Sequence, residues 1–494
     1  MIDDQHELTQ KYSNPTSSHA FVVIVEENQA IQEIDLSSFK KSRISIGRLK
    51  INDIVLSSLL ASSNHGCFER FNNDWYYKDV GSLNGTFFND KKINPGERVP
   101  SGPVKLHEYS ILRIDNSSLD NPNPKGVIIL FATNRVKGEW KKYDLRHKDR
   151  VVIGRDDSCD IVLADIGVSR HHAEIGILDR GYQIKDLNSK NGIILNGQVV
   201  VGTSQIFEKD TFVITTTLFI FTRGFLLYKS ATSGTELKLV NVSKAVKEHG
   251  KNKVILDRIS LIIEPSDFVA ILGGSGAGKS TLLNVMNGFD QAVEGSVLIN
   301  SIDLHKNYQM LKNSIGYVPQ EDIVHNNLTL YKMLRYAAEL RIPKDLTEEE
   351  LNSHINSVIA TLELNGHEGT LISKLSGGQR KRANIATELL ADPRLFFLDE
   401  PTSGLDPGTE KKLMETLSIL SKNKGKTIIM VTHTTQNLEL CDKIIFMGSG
   451  GKLCFYGTIN ESLVFFNAKS LNDIYSMINE DSAKWALLFK SVMK

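Results

Sequence analysis

Phe268-Val-Ala-Ile-Leu-Gly-Gly-Ser-Gly-Ala-Gly-Lys-Ser-Thr281 is the stretch on which the reading of this chain turns. Val269 to Leu272 is apolar and rich in β-branched residues, which predicts a buried strand. The segment Gly273, Gly274, Ser275, Gly276, Ala277, Gly278, Lys279, Ser280 fits G-x-x-x-x-G-K-[ST] at every fixed position, and Thr281 follows it. Leu282, Leu283, Val285 and Met286 then fall at helical spacing. Strand, glycine loop and helix in that order make a phosphate site. Glycines let backbone N–H groups approach an anion without a Cβ in the way, and the helix points its positive end at it. Lys279 is placed for the β- and γ-phosphates, and Ser280 for Mg²⁺. A plain glycine turn or a dinucleotide loop does not require Lys-Ser after the last glycine.

Downstream, Leu395-Phe-Phe-Leu-Asp399-Glu400 is an apolar strand ending in two carboxylates. Asp399 is placed to hold Mg²⁺, directly or through water, and Glu400 to polarise an attacking water. Leu375-Ser-Gly-Gly-Gln-Arg-Lys-Arg382 precedes an amphipathic helix. Its serine and glycines would sit at a helix N-terminus, a second place for phosphate. Arg380-Lys-Arg382 reads as a solvated helix start rather than a nucleic-acid patch.

These pieces together resemble the ATP-binding cassette (ABC) ATPases, and Tyr317-Val-Pro-Gln-Glu-Asp-Ile-Val-His325, Leu328-Thr-Leu-Tyr331 and Leu334-Arg-Tyr-Ala-Ala338 resemble the G-type exporters and bacterial relatives that carry further domains ahead of the cassette. The resemblance covers about 237–470. It implies bound ATP and Mg²⁺, and a head-to-tail pair of cassettes, with Ser376, Gly377, Gly378 and Gln379 of one facing the phosphate loop of the other. It implies that Gln320 senses Mg²⁺, that Asp406 lies in the loop between the two sites, and that His433 contacts the γ-phosphate. The family often stacks adenine on an aromatic residue upstream of the phosphate loop. Lys244-Ala-Val-Lys247 offers none, which leaves ATP and GTP open.

The N-terminal half carries a repeat. Ile46-Gly-Arg48, Ser62-Ser-Asn-His65 and Asp79-Val-Gly-Ser-Leu-Asn-Gly-Thr86 recur as Ile153-Gly-Arg155, Ser169-Arg-His-His172 and Asp186-Leu-Asn-Ser-Lys-Asn-Gly192, at matching intervals. Short apolar runs at Phe21–Val25, Ile44–Ile46, Trp75–Tyr77 and Ile111–Ile114, separated by turn residues, predict an all-β sandwich. The motifs resemble the forkhead-associated (FHA) domain, which binds phosphothreonine peptides. That resemblance places Arg155, Ser169, Arg170 and Asn191 of the second copy on phosphate and peptide, and Arg48, Ser62 and Asn84 in the first. Arg supplies charge-assisted hydrogen bonds to phosphate. Ser63 stands where the family has Arg, so the first copy is expected to bind more weakly or serve as a spacer. Ile193 stands where the family has Thr. His172 is expected to brace a loop from inside; adjacent His171 and His172 do not make a metal pair, because neighbours in a strand face opposite ways.

The expected architecture is multidomain, two all-β FHA sandwiches and then an α/β P-loop cassette. A disordered tail covers 1–18, the first sandwich 19–116, a linker 117–125, the second sandwich 126–229, a linker 230–236, the cassette 237–470, and a helical segment leading toward a membrane domain 471–494. Thr9, Thr16, Thr232 and Thr235 are candidate phosphothreonine ligands within the chain. The composition agrees with a folded, reduced protein: of 494 residues 41% are apolar and 23% charged, Lys+Arg and Asp+Glu both number 58, and the four cysteines lack metal-ligand spacing. A net charge of zero removes bulk attraction to nucleic acid. The acidic start reads as no signal peptide, and Phe212 to Tyr228 as a β-hairpin rather than a membrane span. The reading is a cytoplasmic transporter ATPase at the inner face of the membrane, regulated by phosphothreonine peptides, with a second cassette and a membrane-spanning partner. Its competitors are a soluble ABC ATPase of DNA repair or translation, and a phosphopeptide scaffold with a nucleotide-controlled dimerisation switch.

Overall fold

The computed structural model describes residues 20–492 apart from 28, 72–73, 89–90, 95–97, 108, 117–122, 124, 134–137, 147, 179–180, 223, 231–233, 249–250, 301 and 322–323. The tail with Thr9 and Thr16, most of the 117–125 linker, and Thr232 lie outside the described residues.

Each N-terminal repeat forms two packed sheets. In the first, a six-stranded sheet runs Gln32–Asp35, Phe21–Val25, Val127–Ala132, Ser110–Ile114, Thr86–Phe88, Lys91–Lys92, and faces a five-stranded sheet built on Arg43–Gly47, Gly66–Phe71 and Asp74–Asp79. The second copies it with Lys141–Asp144, Phe225–Ser230, Thr217–Thr222, Thr211–Ile214, Ile194–Leu195 and Gln198–Val199 over Arg150–Gly154, Ala173–Leu178 and Gly181–Asp186. The Phe212 to Tyr228 stretch is thus three successive strands.

The domain boundary differs from the expected one. Residues 127–132, assigned above to the second sandwich, form a strand paired antiparallel with Phe21–Val25 on one side and Ser110–Ile114 on the other, and close the first. In the second copy the place beside Lys141–Asp144 is taken by Phe225–Ser230 instead. The outer faces of the two six-stranded sheets meet. Phe21, Val23, Leu130, Ile220, Phe225 and Leu227 make one buried cluster. This explains why Phe21–Val25 and Val127–Ala132 are apolar throughout rather than alternating: both faces of each strand are covered. Polar pairs span the seam: buried Lys229 Nζ lies 2.7 Å from the more exposed Glu33, and Arg113 Nη2 3.5 Å from Glu208, both buried.

The cassette holds a four-stranded antiparallel sheet and a six-stranded sheet ordered Ile315–Val318, Leu395–Asp399, Thr427–Val431, Phe268–Gly273, Lys443–Gly448, Lys452–Gly457. All neighbours in the latter run parallel except the last edge strand. Val269 to Leu272 is fully buried there, flanked on both sides. The helices Leu330–Arg341, Glu348–Thr361 and Gly377–Leu389 pack together as a separate helical part. Among the described residues no helix is long and apolar enough to cross a membrane. Thr235 is buried rather than in a flexible linker: its N–H donates to Thr427 Oγ1 at 2.9 Å, and that hydroxyl donates back to its carbonyl. It is no accessible phosphorylation site in this fold. The segment 471–492 does not project; 493–494 lie outside the described residues. The helix Ser482–Val492 lies on the edge strand, with Phe489 buried and Trp485 against Phe466.

Candidate functional site

In a parallel sheet the carboxyl ends of the strands gather at one edge, where ligands bind. Four segments named from sequence follow four such strand ends. After Phe268–Gly273 the loop turns through positive φ at Gly273, Gly276 and Gly278 before the helix Lys279–Met286. Gly278 is forced: φ is +88° and an added Cβ would lie 2.7 Å from the Ile255 carbonyl. Lys279 is buried, and its Nζ donates to the Gly273 and Gly274 carbonyls at 3.0 Å each. Burial holds its pKa below the usual lysine value. A buried ammonium curled over its own loop and bonded there to two neutral carbonyls fits a phosphate tail.

Asp399 and Glu400 end the next strand. Ser280 Oγ donates to Asp399 Oδ1 at 3.4 Å, joining the loop to the carboxylate pair. Burial, and then the Glu400 charge, push the Asp399 pKa up. A buried carboxylate beside a second one is relieved by a cation, so the oxygen donors of Ser280 and Asp399 fit Mg²⁺. Gln320, after Ile315–Val318, donates from Nε2 to Glu400 Oε2 at 3.0 Å. His433, after Thr427–Val431, places Nε2 2.6 Å from Glu400 Oε1. Both oxygens of Glu400 are therefore held, and its backbone sits at φ +49°. A left-handed non-glycine residue costs about 1–3 kcal/mol and persists where the surroundings enforce it. Gln320, Asp399, Glu400, His433, Lys279 and Ser280 are thus brought to one place.

Ser376, Gly377, Gly378 and Gln379 stand elsewhere, at the N-terminus of the helix Gly377–Leu389. Ser376 and Gln379 cap each other's backbone, and Gln379 Nε2 lies 2.9 Å from His367. Ser376 and Gly377 are exposed, available to a facing surface. Asp406 caps the helix Pro407–Lys422 by accepting from Gly408 and Thr409 N–H. Sequence reasoning missed two neighbours. Lys381, read as a solvated helix start, donates to the Gln320 carbonyl at 2.6 Å. Asn479 sits on the phosphate loop: its Oδ1 is 3.0 Å from where a Gly274 Cβ would lie. Nothing local marks a residue two hundred positions downstream.

In the second sandwich, Arg155, Ser169, Arg170 and Asn191 lie on neighbouring loops. Gly154 allows this, because a Cβ would lie 2.0 Å from the Arg170 carbonyl. Ser169 Oγ accepts from Lys190 N–H at 3.1 Å, and Asn191 Nδ2 donates to the Gly167 carbonyl at 2.7 Å, so the asparagine braces a loop. Arg48, Ser62 and Asn84 repeat the pattern: Arg48 is exposed, Ser62 Oγ accepts from Leu83 N–H, and Asn84 donates to the Leu60 carbonyl. His65 and His172 are fully buried, each accepting the N–H of the motif serine. Where His65 meets the Thr86 hydroxyl at 3.1 Å, His172 meets the Gly192 carbonyl at 3.0 Å, because Ile193 has no hydroxyl.

The chain matches the family described as "ABC transporter" over 256–403 and the one described as "FHA domain" over 44–114 and 151–215. It is 36% identical over 332 residues to "ABC transporter ATP-binding/permease protein Rv1747" of Mycobacterium tuberculosis, covering 67% of this chain and 38% of that protein. It is 36% identical over 236 residues to "ABC transporter G family member 25" of Arabidopsis thaliana, covering 46% of this chain and 35% of that protein. The match spans little more than a third of these relatives' length. A solved structure titled "Dimeric Structure of MJ0796, a Bacterial ABC Transporter Cassette" is 29% identical, covers 45% of this chain and 98% of its own, and superposes with a TM-score of 0.42.

Proposed function

The chain carries two forkhead-associated domains followed by an ABC-transporter ATP-binding cassette, and from that premise we propose that it binds and hydrolyses Mg-ATP to drive a membrane transporter, under control of phosphothreonine peptides. The observation that carries this reading is the convergence on Glu400. Gln320 and His433 hold its two oxygens, while Ser280 ties the adjacent Asp399 to the Lys279 loop.

In this reading the loop N–H groups from Gly274 to Thr281 and the Lys279 ammonium bind the phosphates. Ser280 and Asp399 would hold Mg²⁺, which when bound would supply positive charge against the phosphates. Glu400, freed from one of its two partners, orients a water and takes its proton. His433 faces the γ-phosphate side. The helix start at Ser376–Gln379, whose Ser376 and Gly377 are exposed, completes the site of a second cassette, so the working unit is a head-to-tail dimer. The membrane-spanning partner, as a domain of the same protein or a separate subunit, would place the cassette at the inner face of the membrane. The "permease" in the name of the mycobacterial relative supports such a partner.

Glu400→Gln tests the assignment. ATP binding is expected to survive while turnover falls at least a hundredfold, the scale of a lost general base. Unchanged turnover would remove Glu400 from the mechanism.

A further inference from the structure

The phosphate-facing side of the second forkhead-associated domain is occupied by the cassette. Arg155 Nη1 donates to Glu350 Oε1 at 2.7 Å, and Arg155 Nη2 lies 3.8 Å from Asp345 Oδ1. The Arg170 backbone N–H donates to Asp345 Oδ2 at 2.6 Å, and its guanidinium lies 3.6 Å from Glu350. Around this centre, Asn191 Oδ1 accepts from Asn313, and Lys190 Nζ donates to the Leu340 carbonyl at 3.4 Å. Ile166, on the neighbouring loop, packs on the cassette core. The carboxylates belong to one short segment, Asp345-Leu-Thr-Glu-Glu-Glu350, which ends the connection from the helix Leu330–Arg341 and begins the helix Glu348–Thr361. Both arginines of this domain that the sequence assigns to phosphate thus face cassette carboxylates.

We propose that Asp345 to Glu350 is a phosphate-mimicking occupant of the second forkhead-associated domain, and that a phosphothreonine peptide binds there by displacing it. The proposal rests on the reading of Arg155 and Arg170 as phosphate-binding residues.

The chemistry of the contact makes it displaceable. Two carboxylates supply negative charge to the arginines but not the tetrahedral set of oxygens of a phosphate. Arg155 Nη2 and Asp345 Oδ1 are buried, and among the described residues each lacks a hydrogen-bond partner. A guanidinium left with an unmade bond in a buried place is bonded better by a phosphate, which carries more charge and three acceptor oxygens. The carboxylates are also only partly sequestered: Glu350 is 40% exposed and Asp345 33% in their side chains, so water reaches the ion pairs and the carboxylates can leave the arginines for solvent.

Displacement would be felt in the helical part. The gripped segment joins two helices that pack on the helix beginning at Ser376. Arg341, at the end of the first, forms a double ion pair with Glu388 of that third helix, and His354 contacts the Leu390 carbonyl at 2.8 Å. The occupant is therefore tied to the helix whose start is expected to meet the nucleotide of a facing cassette.

The test uses the full chain and a degenerate pool of phosphothreonine peptides, with the unphosphorylated pool as control. An affinity is reduced by the fraction of molecules in which the site is open, so a chain docked about nine-tenths of the time binds about tenfold more weakly than an undocked one. Asp345→Asn with Glu350→Gln removes the charges while keeping the residue shapes, and Gln at 350 keeps the helix cap that Glu350 makes with Thr347. This variant is expected to bind the phosphorylated pool about tenfold more tightly, and peptide added to the unaltered chain to raise hydrogen exchange across 342–350. Equal affinity in both chains, with binding abolished by Arg155→Ala, would overturn the proposal and leave the domain a phosphopeptide binder. If neither chain prefers phosphorylated peptide, the forkhead-associated reading itself falls, and with it the proposal; the contact is then a fixed brace between domains.

Discussion

Glu400 shows how far single residues were legible. Its acidity and its place after a buried strand marked it as a base. Its left-handed backbone and the two side chains holding it are set by the meeting of three strand ends, which no local pattern records. The glycines of the phosphate loop were readable because each answers a steric demand. Gly278 has both a positive φ and a carbonyl at 2.7 Å from any Cβ. Gly278→Ala is accordingly expected to weaken nucleotide binding at least tenfold, by shifting the loop that presents its N–H groups. Titration with a fluorescent ATP analogue measures this, and full retention of affinity would show that the loop tolerates the shift. The motif residues of the second sandwich were also legible as a set, but not their partners. Arg155 and Glu350 are separated by nearly two hundred residues, and the only sign of their pairing is complementary charge.

At the scale of elements, strong periodicity gave the central strands and the helix Lys279–Met286 almost residue for residue. The C-terminal helices were harder. Trp485-Ala-Leu-Leu-Phe489 has the apolar spacing of an amphipathic helix, and such a face is equally suited to a membrane or to a protein surface. The structure resolves the choice in favour of the cassette. Phe489 is buried against Phe455 and Phe465, and Trp485 stacks near Phe466 and donates its indole N–H to the Met477 carbonyl. The preceding helix Leu471–Glu480 brings Asn479 and Tyr475 to the phosphate loop. Phe489→Ala should cost about 3–5 kcal/mol, as large aromatic deletions in cores do. A thermal melt of the full chain would detect it as an earlier cassette transition. A change within about 0.5 kcal/mol would mean that the helix contributes little to cassette stability.

For the whole molecule, acid is the revealing stress. Burial lowers the pKa of His65 to about 4, against which the neighbouring Asp79 charge acts in the opposite sense, and burial also lowers that of His172. An unfolded histidine takes up its proton near pH 6.5. Between that pH and the lower folded value, the unfolded chain binds more protons, so these groups favour folding above pH 6.5 and lose that contribution as the pH falls through their lowered folded values, about 4 for His65. Each can cost up to about 1.4 kcal/mol per pH unit in that window. Melting temperature should drop from pH 7 to pH 5, and less so in a His65→Asn, His172→Asn chain. A parallel drop in both would assign the acid sensitivity to other groups.

The strand Val127–Ala132 has a further consequence. The spacing that carries Arg48 to Arg155 also carries Phe21 to Ile128, so by sequence this strand opens the second copy. In space it closes the first, next to Phe21–Val25 itself. The repeat as written and the repeat as folded are out of step by one strand. Chain surgery at the written seam would strip a sheet of an interior member and open the apolar faces that the copies cover for each other. A repeat offset in this way resists being undone: either half taken alone at the written seam would expose apolar surface, so the two are expected to fold as one part.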